Sequence, residues 1–104
     1  MARPDACKWT PPEGNYCLLR VEDDSMREAN IWKGDRLLVR VQNAVENGEI
    51  AVVIAGGRPV VRRLYRGSGR VTLVPANPAY EPQAYREEDV KVVGVVAQGY
   101  RDVR

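Results

Sequence analysis

The chain has 104 residues, 44% of them hydrophobic and 29% charged, with a formal charge of +2. That balance suits one small globular domain, and excludes a disordered tail or a strongly basic nucleic-acid binder. There is no histidine, so Ser-His-Asp chemistry is excluded and Cys7 with Cys17 cannot complete an ordinary metal site.

Residues 1–15 carry Pro4, Pro11, Pro12 and Gly14. This punctuation predicts an irregular N-terminal arm, pinned to the body by packing of Trp9. No apolar run approaches the ~20 residues of a membrane helix. Met1 to Asp5 lacks the apolar core of a signal peptide. The expectation is a cytoplasmic protein with both cysteines reduced, since disulfides are rare in that compartment.

From residue 16 to 104 the chain reads as one β-rich body. Valine and isoleucine together number 19 against six leucines, and β-branched side chains suit a pleated sheet. Short apolar runs bounded by Gly, Pro and Asn predict strands near 16–21, 36–41, 49–55, 59–65, 70–75 and 91–97. The run 36–41 has a mostly apolar middle, so both of its faces are expected to be covered. Gly56-Gly57 and Gly67-Ser68-Gly69 predict hairpin turns. From Pro75 to Gln83 a Pro-rich surface loop is expected.

Between the first two strands, Ser25 to Asn30 predicts one short helical turn. Asp24 or Ser25 would cap it, with Glu28 in capping-box spacing. Backbone N–H groups at its start could form an oxyanion hole beside Ser25. A serine hydroxyl needs a base before it can attack. Without histidine, that base would have to be a lysine of depressed pKa. The lysines are Lys8, Lys33 and Lys91, in the arm, in a turn and at the start of the last strand.

Ser25-Met26 is followed by Gly34-Asp35 nine and ten residues on, by Asn47-Gly48 at twenty-two, and by Arg62-Arg63 at thirty-seven. Leu73-Val74-Pro75-Ala76-Asn77-Pro78 adds to the set. This arrangement resembles the self-cleaving serine peptidase domain of LexA-type repressors and UmuD-like polymerase subunits, over about residues 16–99. The resemblance implies a mainly β, LexA/signal-peptidase-like fold of about seven strands with one short helical turn. It implies that Ser25 stands at the nucleophile position, with Asp23, Asp24 and Met26 beside it in the cleft. It also places Arg62 where the family has its basic lysine. Arginine stays protonated and cannot act as a base near neutral pH. Its bulk is expected to displace or cover Ser25.

Two further departures agree. The family usually has glycine where this chain has Asp23, whose carboxylate either faces water or pairs with Arg62. The family's self-cleavage bond joins a small residue to glycine well upstream of the serine. With 24 residues before Ser25 and no glycine at Asp5-Ala6-Cys7, the expectation is a processed form, a fragment, or a member that does not cut itself.

Three readings follow. The first is a degenerate serine peptidase of SOS-response or phage-repressor type, serving as a dimerisation or protein-binding module. It is expected to form a homodimer through residues 90–97, to hold a protein partner in the cleft, and to need no metal or cofactor. The second is an active serine peptidase using Ser25 on itself or another chain. The third, disfavoured by the low net charge, is nucleic-acid binding through Arg62, Arg63, Arg66 and Arg70.

Overall fold

β-branched runs cut by glycine turns fold as the sequence predicts, into antiparallel strands. A computed structural model describes residues 15–101. All of the predicted arm but Asn15, including Cys7 and Trp9, lies outside them. The strands are β1 (Tyr16–Arg20), β2 (Arg36–Val41), β3 (Ile50–Ala55), β4 (Arg58–Gly67), β5 (Arg70–Val74), β6 (Gln83–Arg86) and β7 (Val90–Tyr100). They form one antiparallel sheet in the order β1-β2-β7-β3-β4-β5-β6. The last strand therefore enters the middle of the sheet, between β2 and β3. The seventh strand, β6, was not foreseen. Its run of Gln83, Ala84, Tyr85 and Arg86 carries no buried residue, so it lacks the apolar alternation that marks a half-buried strand.

Both hairpin turns contain two residues. Gly56 and Gly57 have φ of 61° and 76°, and link Ala55 to its partner Arg58. The second turn is Ser68-Gly69, with φ of 55° and 74°, because Gly67 already pairs with Arg70. Positive φ at both central residues matches the right-handed twist of the flanking strands.

Packing separates into two clusters. Leu19, Met26, Leu37, Val39, Val52 and Val93 belong to one. Ala51, Val53, Ala55, Leu64, Val71 and Leu73 belong to the other. The strand covered on both faces is β3, whose alternate residues enter different clusters. The expectation that this strand would be β2 is corrected. In β2 only Leu37 and Val39 are buried, while Arg36 and Arg40 are exposed. Cys17 is fully buried in the first cluster; Cys7 lies outside the described residues, and so does the expectation that both thiols are reduced. Among the described residues, no helix is long and apolar enough to cross a membrane.

β7 slips register against both neighbours, between Leu38 and Val39 of β2 and between Val52 and Val53 of β3. Gly94 adjoins the slip against β3, paired with Val52 there and with Val41 of β2 on its other side. A Cβ built there would collide with the carbonyl oxygen of Arg40 and crowd Val39 Cγ1. Backbone cannot yield as a flexible side chain can, so the methyl forces strand displacement. Gly94→Ala is expected to lower the unfolding free energy by about 1–3 kcal/mol, read from the urea midpoint. Gly67→Ala, with open space around its Cβ, should stay within about 0.5 kcal/mol.

Candidate active site

Residues 22–34 leave β1 and return to β2 as a loop. Its neck is closed by Val21 N donating to Asp35 O at 2.8 Å, and Gly34 N donating to Val21 O at 2.9 Å. Inside the loop is a 3-10 turn, Arg27–Ala29, in place of the expected helical turn over 25–30. Its N-cap is Met26, with no side-chain cap. The predicted cap by Asp24 or Ser25 is therefore absent, because both residues are engaged elsewhere. Asp24 Oδ1 accepts the Lys33 N–H at 3.4 Å, and the Ser25 side chain turns inward. The Glu28 N–H, foreseen in a capping box, donates instead to Ala76 O at 2.7 Å.

The loop is fastened to the chain that follows β5. Ala76 N donates to Ser25 O at 2.8 Å. Asn77 Nδ2 donates to Asp24 O at 2.8 Å. Meanwhile Met26, 1% exposed, plugs into the first core cluster. Asn77 is thus a site residue whose role sequence reasoning missed. Its signal was the Pro75-Ala76-Asn77-Pro78 segment, which marks a loop but does not say what the amide holds.

Ser25 is 1% exposed. Its Oγ accepts a hydrogen bond from Arg62 Nη1 at 2.6 Å. The same Nη1 donates to Val61 O at 2.8 Å, and the guanidinium carbon lies 5.9 Å from the Tyr80 ring centroid. The expectation that arginine would displace or cover the serine is corrected. The guanidinium folds back along its own strand, and Nη1 stops at hydrogen-bonding distance.

Asp23 is half-buried and, among the described ion pairs, does not pair directly with Arg62. Its Oδ1 accepts the Ser25 N–H at 3.0 Å. Burial raises the Asp23 pKa, but hydrogen bonds from the Ser25 hydroxyl and backbone, with the positive fields of Arg62 and Arg58, outweigh it and leave the carboxyl below its ordinary value. Carboxylate and guanidinium therefore meet through Ser25. Three of the N–H groups at the start of the turn are already taken: that of Ser25 by Asp23, that of Arg27 by Asp24 O, and that of Glu28 by Ala76 O.

Beside Ser25 opens a cleft of about 550 Å³, with Leu19, Met26, Ile54, Val60 and Val61 among its apolar walls and Arg20, Glu22, Asp23 and Lys91 as its charged members. Ser25 lines it; Asp24 and Arg62 do not. The structure thus unites Ser25, Asp23 and Met26 at one cleft, and turns Asp24 away. Among the arginines proposed for nucleic acid, Arg62, Arg63 and Arg66 spend donors on the carbonyls of Val61, Gly48 and Val45.

Asp23 and Asp35 both titrate below their ordinary value of 3.8 in the fold. For Asp35 the first cause is the hydrogen bonds from Arg101. A carboxyl depressed in the folded state adds stability that is complete above its unfolded pKa and lost as pH falls through the folded one. Unfolding free energy is therefore expected to fall with acidification below about pH 4. Asp35→Asn and Asp23→Asn should each flatten that descent, measured by urea unfolding across pH 2–6.

Residues 3–97 match the family model described as Peptidase S24-like. A LexA repressor of Novosphingobium aromaticivorans is 45% identical over 85 residues, covering 81% of this chain and 36% of the relative. LexA repressors of Thermosipho africanus and Citrifermentans bemidjiense are 41% and 40% identical, over 78% and 86% of this chain and 41% and 46% of their own lengths. The chain spans less than half the length of these relatives. A serine at the head of a short turn, anchored over a cleft in a seven-stranded sheet, agrees with that match, and the chain belongs to the peptidase S24-like family, as a LexA-type domain.

Proposed function

We propose that this chain is the regulatory domain of a LexA-like protein of SOS-response or phage-repressor type, acting in the cytoplasm as a binding and dimerisation module that has lost peptidase chemistry. The carrying observation is the direction of one hydrogen bond. A general base accepts the serine proton. Arg62 donates to Ser25 Oγ, and arginine stays protonated at any pH the fold survives.

Asp23 supports the same reading. The nucleophile's own N–H is a common oxyanion donor, and here a carboxylate holds it. Negative charge at that point opposes the negative charge that develops during acyl transfer. The alternative, an active peptidase, would need a base other than Arg62, and the carboxylate bound to Ser25 is that of Asp23. Its carboxyl lies below the ordinary range, far from the near-neutral value that suits general-base work.

Binding remains open to the chain. The apolar walls around Ser25 suit an extended peptide, whose alternate side chains could enter the cleft. For dimerisation, support comes from β7. Its pairing with β3 ends at Val95 with Ala51, so among the described residues those beyond Val95 have no partner strand on that side, and Tyr100 is 44% exposed. A dimer is expected by light scattering at high micromolar concentration; a monomer there removes this part of the proposal.

The test of lost chemistry uses a fluorophosphonate probe and a small-residue-Gly peptide at pH 7 and pH 10. The expected result is no labelling of Ser25 and no Ser25-dependent product. A missing base costs roughly 10²–10⁴ in rate, and a blocked oxyanion donor roughly 10²–10³ more. Arg62→Lys alone should therefore restore little labelling, and Arg62→Lys with Asp23→Gly substantially more. Cleavage or labelling by the unaltered chain overturns the proposal.

A further inference from the structure

The loop that carries Ser25 has a second anchor, opposite the one at Ala76 and Asn77. Asp35 is 4% exposed. Arg101, just past the end of β7, grips it with two bonds: Nε to Oδ1 at 2.8 Å and Nη2 to Oδ2 at 2.9 Å. Oδ2 also accepts the Trp32 N–H at 2.9 Å. The same Nη2 reaches Asn30 O at 3.1 Å, and the guanidinium carbon lies 5.6 Å from the Trp32 ring centroid.

Asn30 is in the left-handed region, with φ of 64° and ψ of 33°. A non-glycine residue holds that conformation when its surroundings over-determine it. Here Arg101 binds its carbonyl, and Trp32 Nε1 donates to its Oδ1 at 3.2 Å. A groove of about 440 Å³ separates this part of the loop from the end of β7, with Ala29, Asn30 and Ile31 on one wall and Gln98, Gly99 and Tyr100 on the other. Ile31 anchors this part of the loop in the core, and across the groove Arg101 adds the polar link to the end of β7.

We propose that Arg101 is a positioning residue for the serine site: by clamping Asp35, Asn30 and Trp32 it sets the loop geometry that brings Ser25 to Arg62. This concerns where Ser25 is held and stands whether or not Ser25 reacts. Only an arginine fits the task, since the two-point grip on a carboxylate needs its planar fork.

Arg101→Gln and Arg101→Lys, made in the full chain, test it by amide hydrogen exchange and by NMR titration of the Asp35 carboxyl. In Arg101→Gln, exchange at Ser25, Ala29, Asn30, Ile31 and Trp32 is expected to rise about tenfold or more, the loss of a charged hydrogen-bond pair. Val52 and Val53 in β3 should be unchanged. The Asp35 carboxyl should return toward 3.8, because Arg101 is the one charge to which its depression traces. Arg101→Lys should recover part of the protection. The proposal is overturned if loop exchange does not change, if protection falls evenly through the sheet, if Ser25 alone stays protected, or if lysine restores everything.

Discussion

A single proton direction organises this domain. Ser25 Oγ is an acceptor from Arg62, where catalysis would require its partner to be an acceptor from it. The rest of the site follows. The Arg62 guanidinium holds the Ser25 hydroxyl oxygen, and the Asp23 carboxylate holds the Ser25 N–H. Serine is thus the neutral link in a short chain from guanidinium to carboxylate. Charge-assisted bonds of this kind are shorter and stronger than neutral ones, so they favour one fixed geometry over a reactive one.

That geometry depends on how a thirteen-residue loop is held, counting 22 to 34. Such a loop makes little regular structure of its own; only three of its residues form a helical turn. Its order comes from outside. Met26 enters the core, Ala76 and Asn77 bind the segment at Asp24 and Ser25, and the Val21–Asp35 pair closes the neck. The partners are far apart in sequence: Asn77 lies 53 residues from Asp24, and Arg101 lies 66 from Asp35. Contacts of such separation form late and only once the sheet has formed. The site is therefore a product of the whole fold, not of the local sequence around the serine.

This explains what could be read in advance. Strands announced themselves through β-branched runs, and the turn at Gly56-Gly57 through residues that tolerate positive φ, because those signals are local. Ser25 and Arg62 were legible through spacing. The capping box at Glu28 was not legible correctly, because a tertiary acceptor, Ala76 O, outcompeted the local one. β6 was invisible because only Tyr85 packs toward the core, and that only partly. The clamp at Asp35 was invisible for another reason. An aspartate after glycine reads as a turn residue, and nothing near it in sequence shows that a guanidinium 66 residues away will neutralise it.

The two substitutions at the site also make sense together. The family's lysine acts as a neutral amine when it serves as base, so burial beside the serine need not leave a net charge. Arginine brings a permanent one. Arg62 is half-buried, so part of its charge is solvated and a nearby carboxylate adds modest compensation. Asp23 stands where the family usually has glycine, close enough for Arg62 to lower its pKa. Each residue is thus the physical context that lets the other be tolerated. Reverting one alone leaves a charge that its partner was stabilising, which is why chemistry at Ser25 should depend on changing both positions.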